Sequence, residues 1–179
     1  MSTTRDEALL NARQIWFYTG LEDYSCEDVQ KSMMYLCHQN SSEPIHLIIG
    51  SEGGAVDCML GIHDLMRSLT CPVYTYCFGR ACSAGAFLFA AGAKGHRYTT
   101  PNSQFMLHLS QTYFRGANVD MNIYQKWVNS MDSSVLDYWS EYTGKTVKQL
   151  TKDLSRELYL SGTQAIEYGL ADQLILFNR

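Results

Sequence analysis

The chain has 179 residues, 46% of them hydrophobic, with 14 Lys and Arg against 18 Asp and Glu for a formal net charge of −4. That length supports one domain with a sizeable core, and the scattered basic residues leave no stripe for a nucleic-acid backbone. The longest apolar run, residues 84–93, is short for a membrane span, and residues 1–13 lack the apolar centre of a signal peptide, so a cytoplasmic protein is expected.

Residues 1–13 are polar and read as a short helix or lead-in. Residues 14–19 are a strand by residue type, ended by Gly20. Ser25 is then a candidate cap for a helix over 26–40, with Cys26, Val29, Met33 and Leu36 or Cys37 on one face at helical spacing. Beyond a polar turn at 40–43, Ile45-His46-Leu47-Ile48-Ile49 alternates so little that both faces of this strand are expected to be covered. It runs into Gly50-Ser51-Glu52-Gly53-Gly54, a strand-to-helix turn whose glycines leave backbone N–H groups unobstructed. No Lys-Ser/Thr follows, which argues against a phosphate loop.

A helix over 55–69 and a break at Pro72 lead to a strand over 73–78. Next comes Gly79-Arg80-Ala81-Cys82-Ser83-Ala84-Gly85-Ala86, opening an uninterrupted small and apolar segment that reads as a buried helix. Ser83 therefore stands where a strand gives way to a helix, flanked by residues small enough to admit another chain. Unpaired N–H groups at such a helix start can receive a developing oxyanion, and a nucleophilic serine is often presented this way. The plainer alternative is that Ser83 caps the helix with its hydroxyl.

Three successive strand–helix units argue for a parallel sheet with right-handed crossovers. Residues 104–108 form a further short strand with His108 at its end, a place where a histidine can be catalytic or merely solvated. The segment 117–142 is helical in type and free of internal Gly and Pro. Its apolar load (Ile123, Trp127, Val128, Met131, Val135, Leu136, Tyr138, Trp139) exceeds what its own core needs, implying an oligomer contact. Short helices over 146–154 and 161–168 and a closing strand over 174–176 complete the chain. The six cysteines have no C-x-x-C spacing and are expected as reduced, mostly buried thiols rather than as a zinc site or disulfide framework. Cys82 could replace Ser83 as the reactive atom, although a cysteine nucleophile would not need the serine beside it.

Several motifs together are specific to a family. They are Gly53-Gly54 after a strand, Gly79-x-x-x-Ser83-x-Gly85-Ala86, Ala90-Ala91-Gly92-x-Lys94-Gly95-x-Arg97, Pro101-Asn102-Ser103, Met106-x-His108 and Glu167-Tyr168-Gly169-Leu170-x-Asp172. With these the chain resembles the proteolytic subunits of Clp proteases, the ClpP family within the ClpP/crotonase fold, in register from about residue 9 to 176. The resemblance implies an α/β fold of repeated strand–helix units with a long handle helix, one serine peptidase domain over residues 1–179. It implies Ser83 as nucleophile, His108 as general base, an acid at Glu157, and an oxyanion hole from the N–H groups of Gly54 and Ala84. It also implies heptameric rings stacked as a tetradecamer through the helix over 117–142. Unfolded polypeptide would be delivered by an AAA+ unfoldase that uses the ATP; no metal or organic cofactor, nucleic acid or membrane is implied.

The sequence departs from the family pattern at several places. The usual Asp of the triad falls on Glu157, with Asp153 one helical turn earlier as a substitute and Asp172 further away. The usual Ser-Pro-Gly-Gly turn is Ser51-Glu52-Gly53-Gly54, the Gln-Pro after the histidine is Leu109-Ser110, and the paired glycines of the substrate-binding strand are Thr112-Tyr113. Residues 1–13 are short for the axial loop that guards the pore and meets the ATPase. The rival readings are an inactive ClpR-like subunit of a mixed ring, a crotonase-type acyl-CoA enzyme and a membrane-associated peptidase relative. The retained serine–histidine pair argues against the first two, and the missing span against the third.

Overall fold

The computed structural model of the chain describes residues 4–110 and 116–176. Its spine is β3 (Val73–Cys82), whose β-branched and aromatic side chains suit a pleated, half-buried surface. On one side β3 pairs with β2 (Ile45–Ser51), which pairs with β1 (Gln14–Phe17), both parallel. On the other side β3 divides its length. Residues 75–77 pair with β4 (Arg97–Thr99) and residues 80–82 with β5 (Gln104–Leu107), again parallel. β7 (Gln173–Leu174) continues in parallel from β4, whereas β6 (Leu158–Ser161) joins β5 in antiparallel fashion.

Helices α1 (Arg5–Asn11), α2 (Asp23–Gln39), α3 (Val56–Ser68) and α4 (Ala84–Ala90) alternate with these strands. They are followed by α5 (Met121–Thr143), α6 (Val147–Asp153) and α7 (Gly162–Tyr168). Every residue of α4 is buried, as a helix with no polar face must be. Full burial of side chains such as Phe87, Leu88 and Phe89 contributes roughly 1.5–3 kcal/mol each. Phe89 packs on Phe105 of β5 at 4.9 Å, and Phe87 meets the edge of Trp139 in α5 at 5.3 Å. The innermost helix is thereby tied to both the sheet and the long helix.

The parallel sheet and its helical crossovers match the sequence pattern, with β6 as the antiparallel exception among the described strands. The sequence pattern misses β4 and β6 altogether, and β3 runs four residues beyond its expected end, up to Ser83 itself. Ser25 does not cap α2. The helix starts earlier, at Asp23, and Ser25 sits in its first turn, accepting the Glu22 N–H at 3.1 Å and donating to the Gly20 carbonyl at 2.7 Å. Residues 118–120 form a 3-10 turn ahead of α5, and the closing strand is Gln173–Leu174 rather than 174–176. The substitutions at Thr112-Tyr113 lie outside the described residues.

A buried ion pair closes the far edge. Asp172 accepts from Arg97 Nε at 2.8 Å and Nη2 at 2.6 Å, and from the N–H groups of Gly95 and Arg97 at 2.8 and 3.1 Å. Burial opposes the Asp172 charge, but the Arg97 guanidinium and these N–H donors prevail and hold its carboxyl below the ordinary value. Arg97 also donates to the Tyr142 carbonyl at 3.0 Å, which fastens the C-terminal end of α5 to the sheet.

Candidate active site

β3 delivers Ser83 at a sharp turn, with φ 52° and ψ −122°. Positive φ is unfavourable for a residue with a Cβ, so the turn persists only because its surroundings fix it. The Ser83 N–H donates to the Met106 carbonyl at 2.6 Å, and the Ser83 carbonyl accepts the Phe87 N–H at 3.0 Å, opening α4. The turn is packed from below by Gly53. A Cβ there would lie 2.7 Å from the Cys82 carbonyl oxygen and 2.8 Å from the Ser83 Cβ, and φ is +96°. Only glycine lets the β2–α3 turn come so close.

The Ser83 hydroxyl makes no capping bond to α4. It lies 2.8 Å from His108 Nε2. Strand register explains this meeting. Parallel pairing of Cys82 with Met106 brings the ends of β3 and β5 together, and each strand is followed by its polar residue. Residues that stand 25 apart in sequence are thus brought side by side by backbone pairing.

The third expected member is placed by the same logic with a different result. β5 and β6 pair antiparallel from Gln104–Ser161 through Leu107–Leu158, so one further step in this register sets Glu157 opposite His108. Glu157 lines the same cleft as Ser83 and His108. Its carboxylate, however, accepts from the Tyr159 hydroxyl at 2.7 Å, and this contact raises the Tyr159 pKa. Among the described residues no carboxylate lies within salt-bridging distance of the His108 ring. Asp153 is committed elsewhere, accepting from Gln149 at 2.6 Å and from the Tyr168 hydroxyl at 2.9 Å. Asp172 belongs to Arg97. Tyr159, the partner of the Glu157 carboxylate, is not foreseen in the sequence. It shares a strand face with Glu157 at spacing two, a relation invisible until β6 is recognised.

Gly54 and Ala84 both line the cleft, which encloses about 340 Å³. Leu21 pairs with the backbone on both sides of Gly54, donating to the Gly53 carbonyl and accepting from the Ala55 N–H, each at 2.9 Å. That clamp leaves no room for a side chain. A Cβ on Gly54 would overlap the Leu21 carbonyl and come within 2.7 Å of the Leu21 nitrogen. Within the described residues neither the Gly54 nor the Ala84 N–H donates a hydrogen bond. For Ala84, at the first position of α4, this follows from helix geometry. The cleft floor is apolar, built from Val56, Met59, Phe87, Val135 and Trp139. Glu52 stands at the rim, paired with Arg80 at 2.7 Å, both side chains more than half exposed. Cys82 is buried. That burial, reinforced by Glu52, pushes its thiol pKa up, which makes it a poor nucleophile beside Ser83.

The arrangement has the parts of acyl-transfer chemistry: a hydroxyl on an imidazole, two unpaired N–H groups and an apolar pocket. Comparison with known proteins agrees. The Clp protease family model matches residues 2–177. The chain is also 36% identical over 173 residues to the ATP-dependent Clp protease proteolytic subunit 1 of Rhodopirellula baltica, covering 97% of this chain and 76% of that protein. The chain belongs to the Clp protease family and is a serine peptidase of the Clp type.

Proposed function

We propose that this chain is a catalytically active endopeptidase subunit in which Ser83 attacks the peptide carbonyl. The observation that carries this reading is the 2.8 Å contact between Ser83 Oγ and His108 Nε2 at the junction of two paired strands. His108 takes the Ser83 proton as the Oγ–C bond forms, then returns it to the leaving amine; water repeats the sequence to release the acyl group. The Gly54 and Ala84 N–H groups receive the oxyanion, each contributing about 10²–10³ in rate if they behave as oxyanion donors do elsewhere. Glu157 acts as the acid by passing from Tyr159 to His108 Nδ1, which fixes the ring tautomer and offsets the imidazolium charge. The apolar floor accepts a hydrophobic side chain next to the scissile bond.

The substrate is an unfolded polypeptide, a reading supported by the family and by a cleft whose apolar floor is shared by α3, α4 and α5. Assembly into heptameric rings, stacked as a tetradecamer, is supported by the exposed apolar side chains of Met121, Ile123 and Trp127 on α5. An AAA+ unfoldase would feed such a compartment. A second reading, a ClpR-like subunit with weak or no activity, is favoured by one observation: the Glu157 carboxylate lies on Tyr159 and not on His108.

Labelling by a fluorophosphonate probe, read by intact mass against a Ser83→Ala control, separates the two. Stoichiometric labelling lost in the control supports the peptidase. An unlabelled protein that still assembles supports the structural subunit.

A further inference from the structure

Of the six cysteines, all free, four fall into two neighbouring pairs that the peptidase chemistry does not use. Cys26 and Cys58 adjoin where α2 runs beside α3, and Cys37 and Cys71 adjoin where the end of α2 meets the turn between α3 and β3. Cys37 and Cys58 are tuned in opposite directions. Burial, the Cys26 thiol and the carboxylates of Asp57 and Asp23 push the Cys58 thiol up to about 12. The Cys37 sulfur instead lies 3.5 Å from the hydroxyl of exposed Thr70. That hydroxyl, and behind it the backbone N–H and thiol of Cys71, stabilise the Cys37 thiolate and lower its pKa to about 7.

The surroundings of this second pair suit an anion. Arg13 reaches across the end of α2, its guanidinium donating to the carbonyls of Leu36 at 2.9 Å, Asn40 at 3.1 Å and Pro44 at 3.0 Å. Its positive charge favours the thiolate form of Cys71, against the larger opposing effects of burial and of the Cys37 thiol. Cys37 is half-buried and reachable from solvent, whereas Cys71 is buried directly behind it. An accessible, partly ionised thiol backed by a second thiol is the arrangement of an attacking and a resolving cysteine.

We propose that Cys37 and Cys71 form an oxidisable pair that reacts with low-molecular-weight disulfides such as oxidised glutathione. The Cys37 thiolate attacks one sulfur of the small disulfide; a mixed disulfide forms and one small thiolate leaves. Cys71 is then deprotonated more easily, because the neighbouring negative charge on Cys37, part of what holds its pKa up at about 11, has gone. It attacks the Cys37 sulfur, loses its proton to solvent and expels the second small thiolate. Two protein thiols are oxidised and one small disulfide is reduced to two thiols. The resulting bond ties the end of α2 to the turn that begins β3.

The test uses the whole protein with oxidised glutathione at neutral pH, followed by alkylation and peptide mass mapping. The expected result is a linked Cys37–Cys71 peptide in the wild type. In Cys71→Ser the mixed disulfide on Cys37 should accumulate, and Cys37→Ser should give neither product while keeping its circular dichroism. Cys37 should react on the order of a hundredfold faster than Cys58, after its greater thiolate fraction is set against its lower intrinsic nucleophilicity. Reaction of Cys37 no faster than Cys58, or a mixed disulfide that persists in the wild type, would overturn the pair.

Discussion

The two sides of His108 are built to different standards. Towards Ser83, everything is fixed by backbone: parallel register between β3 and β5, a 2.6 Å bond from the Ser83 N–H to Met106, and a glycine turn wedged beneath. Towards Glu157, backbone register brings the residue opposite the histidine, but a long side chain decides where the carboxylate goes, and it rests on Tyr159. Main-chain pairing sets an atom's position within tenths of an ångström, whereas a Glu side chain has three rotatable bonds with which to choose a partner. The Ser83 hydroxyl is therefore preset against the imidazole, whereas the Glu157 carboxylate can select its partner.

Substitutions on each side should break or sharpen that contrast. The largest effect is expected from Ser83→Ala, which should abolish peptide hydrolysis and probe labelling with the circular dichroism unchanged; residual hydrolysis at the wild-type rate would remove Ser83 from the chemistry. Glu157→Ala should lower kcat by about 10⁴, the loss seen when a triad acid is disabled elsewhere. A loss under about tenfold, measured with a fluorogenic peptide, would mean that Glu157 never reaches the imidazole. Gly54→Ala should cost about 10²–10³ in kcat, because Leu21 forces the altered turn and its N–H out of place. An unaltered kcat with normal stability would exclude that N–H from the oxyanion hole. The smallest and most informative change is Tyr159→Phe. Removing a competing hydrogen bond of about 1 kcal/mol should free the carboxylate and raise kcat/KM roughly fivefold. A fall instead would show that the phenol steadies the acid in its working position.

The same contrast governs what could be read in advance. Ser83 and His108 are legible because each stands at the end of a strand with a clear local signature, and the Gly53-Gly54 turn announces itself. Glu157 carries no local signal. Its place opposite His108 depends on β6, four residues squeezed between two helices and held in place by pairing with β5. β4 is hidden for the same reason, three residues with only neighbouring strands to define them. The Ser25 error is of another kind. Glu22 and Ser25 exchange the usual roles, so the residue type that normally stands outside a helix lies inside its first turn. The pairing of Cys37 with Cys71 could not be foreseen from spacing, because it arises only where α2 is laid beside the α3–β3 turn.

The bond from Arg97 to the Tyr142 carbonyl has a mechanical consequence for α5. The fully buried residues of this 23-residue helix are Val128, Val135, Leu136 and Trp139, all on the C-terminal side of exposed Ile123 and Trp127. The helix is bolted at its C-terminal end to a buried ion pair, while Ile123 and Trp127 near its other end are exposed. A load applied by whatever seats against Ile123 and Trp127 would be levered about the bolt. The residues just short of the bolt, Val135 and Trp139, are also the floor of the cleft. The exposed side chains of Ile123 and Trp127 and the shape of the cleft floor are thus two ends of one beam.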